Sequence, residues 1–452
     1  MKPPVPPPPF ESLLAPSLEK GPAFLRQLLQ LSAEVDHAGR YLHWDKLRHL
    51  VPPEGLTAEQ WWLGIKFARR KLYRVLPLED AAGRPFQYAM PDGIQADLHW
   101  LDRHAAASVG GMSPLLETES RRAWLIRSFM EESISSSQLE GASTAREVAR
   151  EMLRQGRAPR DRGERMIANN HAALQFIHEH RHQPLSPSML LELHRLLMTG
   201  TLEREDQAGR LRRSDERVEV VDHARQLVLH RPPPAEQLIG RLQSLCDFAN
   251  ARLDPAYGFL HPVVKAIALH FMLGYDHPFV DGNGRTARAV FYWSMAREGY
   301  ELTEFLAISR VIKESPAQYV RAFLQTETDD NDLTYFLLHQ LEVIRTAIQQ
   351  LREELQHQTV RVANAARLLA NHASLAGRVN YRQLLLLQHA LRHPRFVYVI
   401  EEHQRSHGIS YDVARKDLLF LADELKLLRR ARDGKRYLFV VPDDFTERLN
   451  SP

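Results

Sequence analysis

The chain is expected to be mainly α-helical, interrupted once by a short β-hairpin and closed by a basic winged helix-turn-helix unit. Three observations carry that expectation. From Arg121 to Tyr335 apolar residues recur at helical spacing, as in SPSMLLELHRLLMTG, where Leu190, Leu193 and Leu197 share one face. One stretch breaks the pattern: ERVEVVDHARQLVLHRPPP sets Val218 and Val220 before polar DHAR and Leu227 and Leu229 after it, the alternation of two short strands. The tail reads as helix, turn, helix and hairpin, with 16 Lys plus Arg against 10 Asp plus Glu from Arg361 onward.

The elements follow in order. Residues 2–9 are nearly all proline and predict a polyproline II leader without packed structure, assigned to residues 1–20. A helix start at Thr57, with Gln60 three residues on, has the form of a capping box inside an N-terminal helical module over residues 21–110. The helical middle occupies residues 111–345. A long helix from Asp332 to Gln356 leads into a connector over 346–376, and the last unit spans 377–452. There Ser410 caps a helix that turns Ala414, Leu418, Leu421 and Leu425 inward after a Gly408 turn. Asp433-Gly434 makes the tight turn of a hairpin with basic strands, so the unit resembles a winged helix-turn-helix.

Composition narrows the class. With 44% hydrophobic and 25% charged residues in 452, the chain has the makings of globular domains and not of a disordered one. The single cysteine, Cys246, has no partner for an intramolecular disulfide, and MKPPVPPPPF lacks the basic and apolar regions of a signal peptide, so a cytoplasmic location is expected. No apolar run approaches the ~18 residues of a membrane span, which excludes that reading. The net charge of +3 divides into about +6 in the tail and about −3 elsewhere.

The densest chemistry is HPFVDGNGRTAR, residues 277–288. Upstream, Pro262 opens a helix whose Val264, Ile267, Ala268, Phe271 and Met272 form an apolar face and whose end delivers His277. Downstream, Ala287, Val290, Phe291 and Met295 predict a second buried helix over 286–298. The Gly-Asn-Gly turn is therefore a helix N-terminus, where unpaired N–H groups and the dipole attract anions and Gly282 and Gly284 allow close approach. Arg285 and Arg288, three residues apart, both reach an oligophosphate. Asp281 offers a hard oxygen to Mg²⁺, and His277 is the one side chain here that takes a proton near neutral pH. These are the parts of phosphoryl-type transfer. A Gly-Asn-Gly turn alone is an ordinary connection; the twelve-residue set is far more specific.

That set resembles the Fic-domain pattern His-x-Phe-x-Asp/Glu-Gly-Asn-Gly-Arg-x-x-Arg at every specified position, within a run of elements similar to that family from about Arg121 to Gln340. The resemblance implies a Fic-like helical core and transfer of AMP from ATP to a Ser, Thr or Tyr hydroxyl of a target protein. His277 would be the general base and Asp281 the Mg²⁺ ligand. Gly282, Asn283 and Gly284 would form the anion hole, Arg285 and Arg288 would hold the β- and γ-phosphates, and Phe279 would anchor the loop. The hairpin bearing Val218, Val220, Leu227 and Leu229 would be a flap that aligns target backbone as an added strand. EESISSSQLEGAS then resembles the family's inhibitory pattern Ser/Thr-x-x-x-Glu-Gly/Asn, with Ser136, Glu140 and Gly141; Glu140 would pair with Arg288 and disturb the γ-phosphate site. Family members often dimerise, and a homodimer is expected on that analogy alone.

Other signals point less far. HEHRH at 178–182 fits the His-Glu-x-x-His zinc pattern, but Gln183 and Pro184 end the helix at the second His, which favours a solvated helix end. His194, His261 and His270 lie in or beside apolar faces and are read as core histidines. Arg415, Lys416, Arg429, Arg430, Lys435 and Arg436 could meet the phosphates of DNA, or the unit could serve protein contact; the sequence leaves both open. Two further functions stand beside transfer: removal of AMP from a modified target, with Glu140 positioning water, and a DNA-binding regulator whose core senses nucleotide.

Overall fold

The protein, as a computed structural model, is described over residues 2–105, 118–222, 225–251, 258–370, 377–433 and 436–450. Residues 2–9 form neither helix nor strand, yet they are not the free leader expected. Val5 donates its N–H to Asp45 Oδ1 at 2.8 Å and packs with Phe10 and Leu13 against the cluster of Leu28, Trp44, Trp61 and Trp62. A polyproline segment has no internal hydrogen bonds, so its ordering comes from such lateral contacts. The helices around this small core are α1 (Phe10–Glu19), α2 (Gly21–Leu31), α3 (Trp44–Leu47) and α4 (Ala58–Arg70). α4 starts on the Thr57–Gln60 capping box, with both reciprocal bonds made.

The packing then divides the chain differently from the expected boundary at 110. Strands β1 (Arg74–Glu79) and β2 (Pro85–Tyr88) pair antiparallel, and with α5 (Asp92–Ala105) they bury Leu76, Leu78, Phe86, Tyr88, Ile94 and Leu98 in the same core as the motif helices. The sequence reading missed this hairpin because Pro77 interrupts an otherwise strand-like run, a residue tolerated at sheet edges.

The central core continues with α6 (Thr118–Leu139), α7 (Arg146–Gln155), α8 (Arg162–Glu179), α9 (Pro187–Met198), the hairpin β3 (Val220–Asp222) and β4 (Leu227–His230), and α10 (Leu238–Asn250). At its centre α11 (Pro262–Asp276) lies beside α12 (Asn283–Arg297). Both are buried on nearly every side, α11 with a mostly apolar circumference and α12 with polar residues buried among its apolar ones. α13 (Ile308–Glu314), α14 (Pro316–Thr328) and α15 (Thr334–Ala370) complete it, and α15 runs well past the expected end at Gln356.

The last unit has its own core around Leu387, Ala414, Leu418 and Phe439. Its elements are α16 (Tyr381–Arg392), β5 (Val397–Val399), α17 (Ile400–His407), α18 (Tyr411–Leu419), β6 (Arg429–Asp433), β7 (Arg436–Val440) and α19 (Phe445–Asn450), with sheet order β5-β7-β6. Gly408 ends α17 at φ 62° and Ser410 caps α18 through the Val413 N–H. Val397–Val399 form strand β5 immediately before α17. Gly434, from the expected Asp433-Gly434 turn, and Lys435 lie outside the described residues; Asp433 is instead the last residue of β6 and pairs with Arg436.

Candidate active site

α11 terminates on His277, which adopts φ 40°, ψ 60°, a left-handed conformation uncommon for a residue with a Cβ. Three bonds hold it there. Its N–H reaches Leu273 O at 3.3 Å, its ring Nδ1 bonds Gly274 O, and its own carbonyl accepts from Arg212 Nε at 2.8 Å. A carbonyl only accepts, so Nδ1 carries the proton and Nε2 keeps a lone pair. Burial, followed by the charge of nearby His230, pushes the imidazole down to about 4. The ring is therefore a neutral base at physiological pH. Gly274 is required beside it, because a Cβ there would stand 2.7 Å from the Phe323 ring.

The loop that follows is closed by side chains. Asn283 Nδ2 donates to Phe279 O and its Oδ1 accepts from Phe279 N–H, both at 2.9 Å. Asn283 is thus committed to the loop, and what it offers an anion is its backbone N–H at the start of α12. Phe279 is fully buried and stacks on His194 at 3.7 Å with only 4° between the planes. His194 Nδ1 accepts from Gly209 N–H at 3.0 Å, so Nε2–H is the donor to Asp281 O at 2.9 Å. Burial holds that imidazole down to about 4 and keeps it neutral. Gly282, at φ 83°, leaves no room for a side chain: a Cβ would meet Met198 Sδ at 2.5 Å.

α12 presents its two arginines inward, against the usual exposure of that residue type. Arg285 bonds Leu197 O and Met198 Sδ, while its Nε has no partner among the described residues. Arg288, 2% exposed, gives Nε–H to Ser136 Oγ at 2.9 Å and Nη2–H to Ser136 O and to Glu140 Oε1, the latter at 2.8 Å; its Nη1 is also without a partner. Glu140 follows the last residue of α6, where Gly141 turns the chain at φ 93°. Burial opposes its charge, but Arg288 and then Arg285 outweigh that and hold the carboxyl below its ordinary value. The carboxylate lies directly over α12: a Cβ on Gly284 would be 2.2 Å from Oε1.

Asp281 stands at the mouth, 42% exposed, with Oδ1 accepting from Gly282 N–H at 2.6 Å and Oδ2 3.8 Å from Arg162. The hairpin lies on the same side through its last residue, His230, whose ring centroid is 6.1 Å from that of His277. Val220, Leu227 and Leu229 are within its strands, whereas Val218 precedes β3; His223 and Ala224 of the turn lie outside the described residues.

Residues 184–295, which contain the whole motif loop, match the model of the Fic/DOC family. Over these residues the chain is similar to Fic domains. It is 26% identical over 232 residues to the protein adenylyltransferase Fic of Nematostella vectensis, covering 50% of this chain and 51% of that protein. Protein adenylyltransferase fic-1 of Caenorhabditis elegans is 29% identical over 155 residues, 33% of this chain and 27% of the relative. The matched part thus spans about half or less of these curated relatives. Among solved structures, a Fic family protein from Desulfovibrio desulfuricans G20 superposes with a TM-score of 0.49 at 20% identity, over 78% of this chain and 97% of its own.

Several residues around the Fic motif escaped the sequence reading. Arg212 supports the His277 carbonyl from a loop 65 residues away, and His194, read as a core histidine, is indeed buried and satisfied but by the motif loop itself. No local spacing marks either. His178 of HEHRH bonds Glu304 at 2.6 Å, and no group of three metal-capable side chains exists among the described residues.

Proposed function

We propose that this protein transfers AMP from ATP to a hydroxyl of a target protein, a Ser, Thr or Tyr, and that Glu140 restrains it. The observation that carries the reading is the pairing of a neutral imidazole, with Nε2 available, and a helix N-terminus flanked by two buried guanidinium groups that each retain an N–H without a partner among the described residues. Buried donors are seldom left unpaired, and a phosphate supplies the acceptors they lack. The β- and γ-phosphates would lie over Gly282, Asn283 and Gly284 and against Arg285 and Arg288. His277 Nε2 takes the proton of the target hydroxyl as its oxygen bonds the α-phosphorus. The bond from that phosphorus to the bridging oxygen breaks, and pyrophosphate leaves with the electron pair. The Asp281 carboxylate, half-exposed, is the residue that would hold a Mg²⁺. That ion neutralises phosphate charge when bound. Open edges of β3–β4 would align the target's backbone beside His277.

Glu140 supports the restraint because its carboxylate lies where a phosphate would lie. The test is incubation of wild type, Glu140→Gly and Glu140→Gly/His277→Ala with α-labelled ATP and Mg²⁺, following label on the protein and on lysate proteins. Label with Glu140→Gly that vanishes in the double variant supports both parts; label equal in all three overturns them. One observation favours a second reading, AMP removal: the Glu140 side chain is 28% exposed and could hold a water against a bound product. Release of AMP from a labelled target, lost with Glu140→Gly, would favour it. The nucleotide-sensing DNA regulator rests on exposed Arg415 and Lys416 of α18, and requires salt-dependent duplex binding that Arg415→Ala weakens.

A further inference from the structure

The motif explains His277 and the arginines but not the group beside the base. His230 closes β4 and is buried, with both ring nitrogens facing acceptors. Nδ1 lies 2.7 Å from Glu327 Oε2 on α14, and Nε2 lies 2.7 Å from the carbonyl of Tyr275 in the last turn of α11. A neutral imidazole has one N–H and could satisfy only one of these contacts. A carbonyl can only accept, and a carboxylate accepts without a proton of its own, so the two bonds together call for both nitrogens to be protonated. The Tyr275 carbonyl is among the last of its helix, where partners are missing and the dipole is negative, which suits a cation further.

We infer that His230 is a charged positioning residue, an imidazolium held by Glu327 and the end of α11, which fixes the hairpin beside His277 and helps keep His277 unprotonated. The inference deepens the transferase reading and rests on it for its catalytic meaning. The charge balance of the surroundings supports it. Glu327 is the anion that faces His230 directly; Asp276 is taken up by Arg241 at 2.7 Å; Glu140 is taken up by Arg288; and Arg212 faces the His277 backbone. Burial opposes charge on His230, yet Glu327, Tyr275 O and Asp276 together hold its pKa above the ordinary value. One cation so placed discourages a second on the adjacent ring. His277 accordingly accepts a proton only while the target oxygen gives one up, and releases it readily to water afterwards. It also ties three elements, β4, α11 and α14, at the point where a target strand would lie.

Two variants separate charge from shape. His230→Gln keeps polar contacts without charge, and Glu327→Gln removes the counter-ion while leaving His230 in place. The readout is a pH titration of the full-length protein labelled at histidine nitrogens, by long-range proton–nitrogen correlation without nucleotide, with signals assigned from His277→Ala and His230→Gln. In wild type, His230 is expected to stay doubly protonated beyond the ordinary midpoint of about 6.5, while His277 titrates near about 4. In either variant His277 should rise above about 4, by the part that the His230 charge adds to burial. In a Glu140→Gly background the acid limb of kcat/KM for transfer should move up with it. A His230 that titrates as an ordinary neutral histidine, or a His277 midpoint unmoved in both variants, overturns the inference. Shifted His277 titration with no ATP-derived label in any variant would instead sustain the charge arrangement and sink the transferase reading.

Discussion

Two buried charge networks in this molecule look alike at first and differ in completeness. Under the N-terminal module, Lys66 bonds Asp329 at 2.7 Å, Tyr335 completes Asp329, and Asp332 accepts from Tyr41, Tyr73 and the Thr334 N–H. Arg69 gives its donors to Tyr335 and to the carbonyls of Glu34 and Leu42. No side-chain donor or acceptor of that cluster is without a partner. In the Fic motif, Arg285 and Arg288 are as deeply buried, yet each keeps an N–H unpartnered among the described residues and together they face one partly exposed carboxylate. The first network has spent its bonding capacity on the fold, so it acts as scaffold. The second withholds part of it, which is what a site that must exchange one anion for another requires.

The contrast can be broken at either network. The largest effect is expected at the base: His277→Ala in the Glu140→Gly background should lower transfer about 10²- to 10⁴-fold with folding intact, and an unchanged rate would remove His277 from the chemistry. Lys66→Met leaves Asp329 buried without its cation and should cost about 3–5 kcal/mol of stability by denaturant unfolding. Label incorporated per folded molecule should stay as in the parent. Loss of transfer with stability retained would show that the scaffold network reaches into the site.

A smaller effect is expected at the second network. Glu140→Gly should destabilise the apo protein by about 1–3 kcal/mol, because Arg288 loses a charged partner. Saturating ATP should recover that loss by mass action, to a greater extent than it stabilises wild type. Equal ATP stabilisation of the two proteins would mean that the carboxylate and the nucleotide do not compete. The smallest effect is in pH. With His277 held near about 4, lowering pH from 7 to 5.5 should change kcat/KM by less than about twofold, with the fall coming below pH 5. The sign follows from the depressed midpoint, since the neutral base persists until the pH nears it. A half-maximal rate near pH 6.5 would show an unperturbed imidazole.

Much of this was readable in order along the chain. The capping box at Thr57, the Ser410 cap, the helix that delivers His277 and the one that follows the Gly-Asn-Gly turn depend on residues within a turn or two of each other, so their side chains announce them. The start of α12 at Asn283, earlier than the apolar period suggested, came from Gly282 taking a left-handed conformation that no spacing rule reads. Strand β1 was missed for a related reason: Pro77 interrupts its short run, so its identity is decided by its partner across the sheet.

The twelve-residue motif and the Ser136–Glu140 stretch, then, stood in the sequence as a list of reactive groups with their local backbone. The fold alone brought Glu140 to Arg288 across 148 residues, Arg212 to the His277 carbonyl across 65, and His230 to Glu327 across 97. The physical reason is that helix periodicity and capping are short-range. Which buried charge finds its counter-charge, and which donor is left waiting, is settled only when distant helices pack and exclude water from the space between them.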